Sequence, residues 1–283
     1  MLAGTVPTAD EIRDAQRATW DALSASWAKW DALIMRQLGP VGTAMIDRLG
    51  IAPDQQHLDI ASGTGEPGLS IARRAPRGRV VLTDLSPEML EVAQRRAEDL
   101  ASVETQVCSA DDLPFGDATF DSVSVRFGYM FFPDQTQATT EFARVLRPGG
   151  MLCSSVWVEP DRNPWTSIAM QAIASEIDVP APEPNRPHMF RCAAKGQVSA
   201  LYEGAGLRDV TEWDVPIELV TQSPEEYWDL ISEHVSIAAA ALKQADEPAR
   251  ARMRAHAITQ VAAYEQGGEV RVPGLARCIV GTK

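Results

Sequence analysis

Cysteine is scarce in this chain. Four occur in 283 residues, Cys108, Cys153, Cys192 and Cys278, and none forms a C-x-x-C pair. That argues against a thiolate zinc site or a disulfide framework and predicts buried free thiols, as in a reducing cytoplasm. Long apolar runs are also missing. None reaches about 18 residues, and the N-terminus lacks the basic, apolar and small-residue succession of a secretory signal, so no membrane insertion is expected. Positive charge is in short supply, with 26 Lys and Arg against 39 Asp and Glu and a net charge of -13. Nucleic-acid phosphates and anionic membrane surfaces both demand basic clusters, so neither is an expected partner. The remaining composition, 45% apolar and 23% charged, is that of a globular protein able to bury a sizeable core.

Against those absences stands one stretch, His57-Leu-Asp-Ile-Ala-Ser-Gly-Thr-Gly-Glu-Pro-Gly68. Its apolar start reads as a short buried strand, its glycines as a tight turn, and Leu69, Ile71 and Ala72 as the opening of a helix. Glycine lets the backbone approach a ligand closely, and N–H groups in the first helical turn lack intrahelical partners. Gly63-x-Gly65-x-x-Gly68 matches the dinucleotide fingerprint literally. Asp59, however, sits in the strand just before the turn, where it repels a pyrophosphate and suits a cationic cofactor with a free amino group. A second strand, Val80–Asp84, ends in an acid placed for ribose hydroxyls, and Ser109-Ala-Asp-Asp-Leu-Pro-Phe115 follows a third.

The motifs run in order: Leu58-Asp-Ile-Ala-x-Gly-Thr-Gly-Glu66, Asp84-x-Ser-Pro-x-Met-Leu90, Ala110-x-Asp-Leu-Pro-Phe115, Phe120-Asp121, Phe127-Gly128 and Arg144-Val-Leu-Arg-Pro-Gly-Gly150. Together they resemble the class I S-adenosylmethionine (SAM) dependent methyltransferases, the ubiquinone/menaquinone C-methyltransferase family and its small-molecule relatives most of all. The resemblance covers roughly residues 57–158.

It implies an α/β, Rossmann-like fold, a seven-stranded, mostly parallel sheet with helices on both faces. N-terminal helices (residues 1–50) form a lid, and residues 51–283 form the cofactor domain, with helical cap insertions at about 161–195 and 223–267. The order of elements agrees with this reading, because alternating strands and helices make a parallel sheet whose ligands bind at the carboxyl ends of the strands. Predicted strands are Gln56–Ile60, Val80–Asp84, Val103–Cys108, Ser122–Phe127, Met151–Val158, Val210–Val220 and Ala276–Gly281. Trp20, Leu23, Trp27, Trp30 and Ile34 recur at helical spacing in one or two helices over residues 9–37, followed by a short helix Val41–Leu49 stopped by Gly50. Helices are also expected at Pro67–Ala75, from Ser86-Pro87 to about Ala101, at Gln135–Leu146, Trp165–Ile177 and Gln197–Gly204. A further helical stretch, interrupted near Pro248, runs from the capping box Ser223-Pro-Glu-Glu226 to about Tyr264, and Pro180, Pro182, Pro184 and Pro187 mark a loop.

For the cofactor, the resemblance implies Asp59 at the methionine amino end, with Ala61, Gly63, Thr64 and Gly65 lining a close backbone approach. Asp84 takes the ribose hydroxyls, Leu85 and Met89 flank adenine, Ser109 and Ala110 lie near it, and Asp111 accepts from its amino group. Trp27 closes the pocket. Asp112 reads as a turn residue. Arg126 departs from the small polar residue usual in the family, and is expected against the cofactor carboxylate, Asp134 or another acid. Met130-Phe131 replaces the polar pair of the quinone enzymes, which puts quinone-ring methylation in doubt. Amide and adenine N6 methylase signatures and a magnesium-holding acid cluster are missing, so no metal is expected. A general base, where one is needed, is sought among His188, His234 and Tyr129; His57 and His256 read as structural and solvated.

The expected activity is methyl transfer to a small, partly apolar metabolite by a monomer or homodimer, with O- or C-methylation of an aromatic or polyketide-like acceptor favoured. The rivals are a SAM-binding enzyme of this fold that does not methylate, such as a cyclase, a nicotinamide oxidoreductase, and a non-catalytic SAM-binding regulator.

Overall fold

A computed structural model describes residues 7–179, 183 and 186–283. Pro180, Pro182 and Pro184 of the expected proline loop lie outside the described residues. Two helices come first, α1 (Ala9–Lys29) and α2 (Asp31–Leu49). Thr8 and Glu11 form a capping box at the start of α1, and Gly50, with φ of 60°, stops α2 in the left-handed conformation. The break between them falls at Trp30, and Pro40 sits inside α2. This corrects the expected division near residue 38. Proline forfeits a single bond to the preceding turn, and the burial of Ile34, Leu38, Val41, Met45 and Ile46 along α2 outweighs that loss.

The sheet is built from β1 (Gln56–Ile60), β2 (Arg79–Asp84), β3 (Val103–Val107), β4 (Phe120–Arg126), β5 (Leu146–Trp157), β6 (Arg208–Thr221), β7 (Glu265–Gln266) and β8 (Glu269–Thr282). Their order is β3-β2-β1-β4-β5-β8-β6, with β7 paired to β8. The first five strands are parallel, while β8 runs antiparallel between β5 and β6. Strands β1, β2 and β4 are buried almost end to end, as expected for a sheet covered on both faces.

Eight strands replace the seven expected. The extra one, β7, closes a two-residue hairpin on Gly267-Gly268, whose φ angles of 63° and 84° make the turn that matches strand twist. That hairpin also starts β8 earlier than Ala276, because Pro273-Gly274 interrupts the strand pattern in the sequence.

Crossovers α3 (Gly68–Arg74), α4 (Pro87–Arg96) and α5 (Gln135–Val145) connect the parallel strands. Ser86 caps α4 by accepting from Met89 N–H, with Pro87 at the first helical position, as the sequence indicates. Helices α6 (Pro164–Ala174) and α7 (Gln197–Gly204) precede β6, and α8 (Pro224–His234), α9 (Ser236–Gln244) and α10 (Glu247–Val261) follow it. The helical stretch breaks next to Pro248, as the sequence indicates: α9 ends at Gln244 and Pro248 lies in the first turn of α10. Helices α6, α8, α9 and α10 pack on one another, and α1 lies against both α4 and α8. The carboxyl edge of the parallel strands is thereby brought under α1.

Candidate cofactor and acceptor site

The turn after β1 is held at both ends by carboxylates. Asp59 Oδ2 accepts the N–H of Gly68 at 2.9 Å, and Asp84 Oδ2 accepts the N–H of Gly63 at 2.8 Å. Asp84 Oδ1 also accepts the N–H of Ser86 at 2.9 Å, so one acid ties the glycine turn to the head of α4. Gly68 must be glycine because an added Cβ would lie 2.2 Å from Leu82 Cδ2 and 2.8 Å from Asp59 Oδ2. Two non-glycine residues at this edge adopt left-handed backbone, Ala61 after β1 (φ 51°) and Phe127 after β4 (φ 57°). Such strain concentrates at functional sites.

Asp59 is completely buried, and both its oxygens serve the protein. Through those two bonds Asp59 pins the turn from beneath. Burial pushes its pKa up to about 7, opposed by the bonds from Ser124 and Gly68 and by the charge of Arg126. Its Oδ1 terminates a chain of hydrogen bonds through the sheet. Gln55 Oε1 accepts from Ala52 N–H, which orients the amide so that Gln55 Nε2 donates to Ser122 Oγ at 2.8 Å. Ser122 Oγ lies 2.7 Å from His57 Nδ1, His57 Nε2 lies 2.8 Å from Ser124 Oγ, and Ser124 Oγ donates to Asp59 at 2.5 Å. Ser124 spends its proton on the carboxylate, so it accepts from His57 Nε2–H, and Nδ1 accepts from Ser122. His57 is therefore neutral, and burial holds its pKa down at about 3.

Asp84 has 8% of its surface exposed, and burial raises its pKa against the three backbone N–H groups of Ser86, Gly63 and Leu85. Next to it Leu85 is half-buried and Met89 buried. Ser109 and Asp111 share a short hydrogen bond, Ala110 lies between them, and Asp112 is an exposed turn residue, as the sequence indicates. Helix α1 reaches over this edge. Arg13 Nη1 donates to Asp111 Oδ2 at 2.7 Å, and Ser86 Oγ donates to Asp21 Oδ1 at 2.5 Å. Arg96 of α4 donates to the carbonyl of Thr64 at 3.0 Å and to Asp31 at 2.7 Å. Arg13, Asp21, Arg96 and Ser124 are positions at this edge that sequence reasoning missed. No local signal marks them, because Arg13 and Asp111 stand 98 residues apart.

On the β4 side the walls are aromatic. Trp20 meets Phe131 edge-on at 5.0 Å, and Trp27 lies 4.4 Å from the His234 ring. The Nε1 of Trp27, the Nδ1 of His234 and the Oγ of Ser26 are buried without hydrogen-bond partners, as is Ser62 Oγ within the glycine turn. Burial lowers the His234 pKa to about 4. His188 is half-buried away from that cluster, its pKa lowered by burial and by Arg191. Tyr129 does not line the mouth. It is wholly buried in the one-turn 3₁₀ helix after β4, among Phe132, Phe142 and Tyr202, with its hydroxyl 3.2 Å from Thr139 Oγ1. Burial raises its pKa, which leaves it a core residue rather than a base. Arg126 meets neither Asp134, which caps α5, nor any other carboxylate at ion-pair distance among the described residues. Its guanidinium touches Met35 Sδ at 3.8 and 3.9 Å.

The fold and the anchored turn define a Rossmann-like cofactor domain whose ligand edge is the end of β1, β2 and β4. Residues 58–150 match the family described as a methyltransferase domain. A ubiquinone/menaquinone biosynthesis C-methyltransferase of Bordetella parapertussis is 38% identical over 151 residues, 52% of this chain and 58% of that protein. The chain spans about half the length of the curated relatives it matches. Among solved structures, phosphoethanolamine N-methyltransferase 2 of Haemonchus contortus, in complex with phosphomonomethylethanolamine and S-adenosylhomocysteine, has a TM-score of 0.59 at 18% identity, covering 98% of this chain and 60% of that one. The cyclase SpnF has a TM-score of 0.54 at 22% identity, covering 85% and 79%. These two likenesses establish the fold. By these likenesses residues 58–150 resemble a SAM-dependent methyltransferase domain.

The residues present suit that cofactor. Ser62 Oγ is an orphaned buried hydroxyl in the turn, and Asp84, itself held by backbone N–H groups, keeps lone pairs for a diol. No described helix is long and apolar enough to cross a membrane, and no cluster of His, Cys, Asp and Glu suited to a metal occurs among the described residues.

Proposed function

We propose that this protein transfers a methyl group from SAM to a small, partly apolar acceptor, with O- or C-methylation of an aromatic or polyketide-like molecule favoured. The observation that carries this reading is a glycine turn clamped at both ends by Asp59 and Asp84, with the aromatic wall of Trp20, Trp27, Phe131 and His234 beyond it. SAM supplies an activated methyl carbon open to in-line displacement. The protein's part is positioning and exclusion of water. Asp84 takes the ribose hydroxyls, Leu85 and Met89 flank the base, and Ser109, Ala110 and Asp111 border its far edge. Ala61, Gly63, Thr64 and Gly65 present backbone to the amino-acid end, and Asp59 keeps that turn in place from below.

Residues 1–50 act as the lid, with Trp27 closing over the cofactor, and the segments about 161–195 and 223–267 cap the acceptor side. His234 is the favoured base for a hydroxyl or enol. It is neutral at physiological pH, its Nδ1 has no partner, and it stands against Trp27. His188 is the second candidate.

Calorimetric titration with SAM and S-adenosylhomocysteine, with NAD as control, tests the cofactor on wild type and Asp84→Ala. Both adenosyl ligands should bind wild type and weaken in the variant, and binding of NAD alone would overturn the reading. Acceptor turnover is then read by mass. A gain of one methyl supports transfer, and turnover with no gain supports the cyclase-type alternative.

A further inference from the structure

A cavity of about 370 Å³ lies outside the clamped turn, between α2 and the segment from Glu66 to Arg74. Its lining sets three arginines, Arg73, Arg74 and Arg126, against one glutamate, in a chain of net charge -13. Two of those arginines are engaged, Arg73 with Glu66 at 3.4 Å and Arg74 with Asp47 at 2.8 Å, and both are about half exposed. Arg126 is different. It projects from the carboxyl end of β4, and its nearest polar contact is a thioether, a weak acceptor. A half-buried guanidinium lacking a carboxylate partner loses part of its hydration without a paired charge, and Asp59 and Glu66 offset that only at a distance.

The opposite wall is small and apolar. Gly39 and Gly42 face the space from α2: a Cβ at Gly39 would meet nothing within 4 Å, and one at Gly42 only Pro67 at 3.7 Å. Ile46 and Met35 complete that wall. The volume falls within the range of about 300–1,000 Å³ typical of small-molecule clefts, far more than one anionic group needs.

We infer that this cavity binds a small carboxylic acid with an apolar body, the carboxylate paired in bidentate fashion with Arg126 and the body lying against the glycine face of α2. Planar, delocalised guanidinium matches carboxylate geometry with two parallel hydrogen bonds, whereas lysine offers only a point charge. The site is separate from the methyl-transfer reading and holds whether or not that reading does.

The test uses benzoate and isovalerate as probes, with benzyl alcohol as the uncharged control, titrated into the full-length protein saturated with S-adenosylhomocysteine. At least one acid should bind, and benzyl alcohol at least tenfold more weakly than benzoate. Arg126→Met should weaken acid binding at least tenfold, and Arg126→Lys should recover part of it. Gly39→Leu, a substitution into open space on a helix, should block the acids while leaving S-adenosylhomocysteine affinity within about twofold. Binding of neither acid, or equal binding by Arg126→Met, overturns the inference. So does an Arg126→Met variant that loses affinity for S-adenosylhomocysteine but keeps it for 5′-methylthioadenosine, because Arg126 then serves the cofactor's own carboxylate.

Discussion

Asp59 and Asp84 spend both their carboxylate oxygens on protein donors, while a few residues away Arg126, Trp27 and His234 carry nitrogens with no oxygen partner. The two sides of the β1 turn thus follow opposite rules. On the β1–β2 side the two carboxylates are locked to backbone and side-chain donors, Ser62 Oγ being the exception, so that half is largely organised before any ligand arrives. On the β4 side the Trp27 and His234 nitrogens are buried without partners and the half-buried Arg126 meets only a thioether, so these groups are left free to pair with a ligand. Preorganisation suits a ligand that is always the same, and unsatisfied groups confer discrimination, since a molecule that cannot pair with them leaves their burial uncompensated.

The comparison breaks most severely at Gly68. Gly68→Ala drives a methyl group into Leu82 and the Asp59 carboxylate, and a loss of about 2–3 kcal/mol is expected, read as a drop of several degrees in Tm. An unchanged Tm would mean that the turn is far more compliant than its contacts imply. Asp84→Ala leaves the Gly63 and Ser86 N–H groups without their acceptor and removes the diol partner. At least tenfold weaker S-adenosylhomocysteine binding, about 1.4 kcal/mol, should appear by calorimetry. Across the turn, His234→Phe preserves the packing on Trp27. It should lower turnover of the acceptor while shifting cofactor affinity by less than about threefold, and equal losses in both would erase the distinction between the two sides.

The smallest effect is in the pH dependence of stability. The folded-state pKa of His57 is depressed to about 3 and that of His234 to about 4, so each contributes stability that is present above about 6.5 and is lost as the pH falls towards those values. Asp59, raised to about 7, acts in the other direction: its contribution is complete below about 4 and is lost as the pH rises towards 7. Between about pH 4.5 and 6.5 one histidine therefore offsets Asp59, while Asp84, also raised by burial, opposes the other. His234→Phe should remove its share, lessening the loss of stability between about pH 6.5 and 4.5 in urea melts taken at several pH values. A slope unchanged by the substitution would place the His234 titration elsewhere.

How far the sequence went follows from the range over which each feature is determined. The β1 strand, the Ser86 and Ser223 caps, the Gly50 stop and α7 follow from neighbouring residues, and they stand where local chemistry puts them. Asp59 and Asp84 were identifiable as the key acids of the turn, but whether a carboxylate faces a ligand or a backbone N–H depends on how α3 lands on the sheet. Arg13 over Asp111 and Trp27 against His234 are pairings across the chain that no spacing announces. Pro40 and the Gly267-Gly268 hairpin misled for a related reason: tertiary burial carries a helix through one, and a two-residue turn hides inside a stretch that otherwise reads as the end of a helix.

The hydrogen-bond chain through β1 and β4 has a direction as well as a geometry. Gln55, Ser122, His57 and Ser124 each pass a proton the same way, so their dipoles add and the positive end of the row points at Asp59. The row behaves like a one-way valve. A proton settling on Asp59 Oδ1 displaces the one offered by Ser124, and reversing the row would also require the Gln55 amide, held by Ala52 N–H, to flip. The carboxylate beneath the glycine turn is thereby tied, bond by bond, to a backbone N–H at the amino end of the sheet.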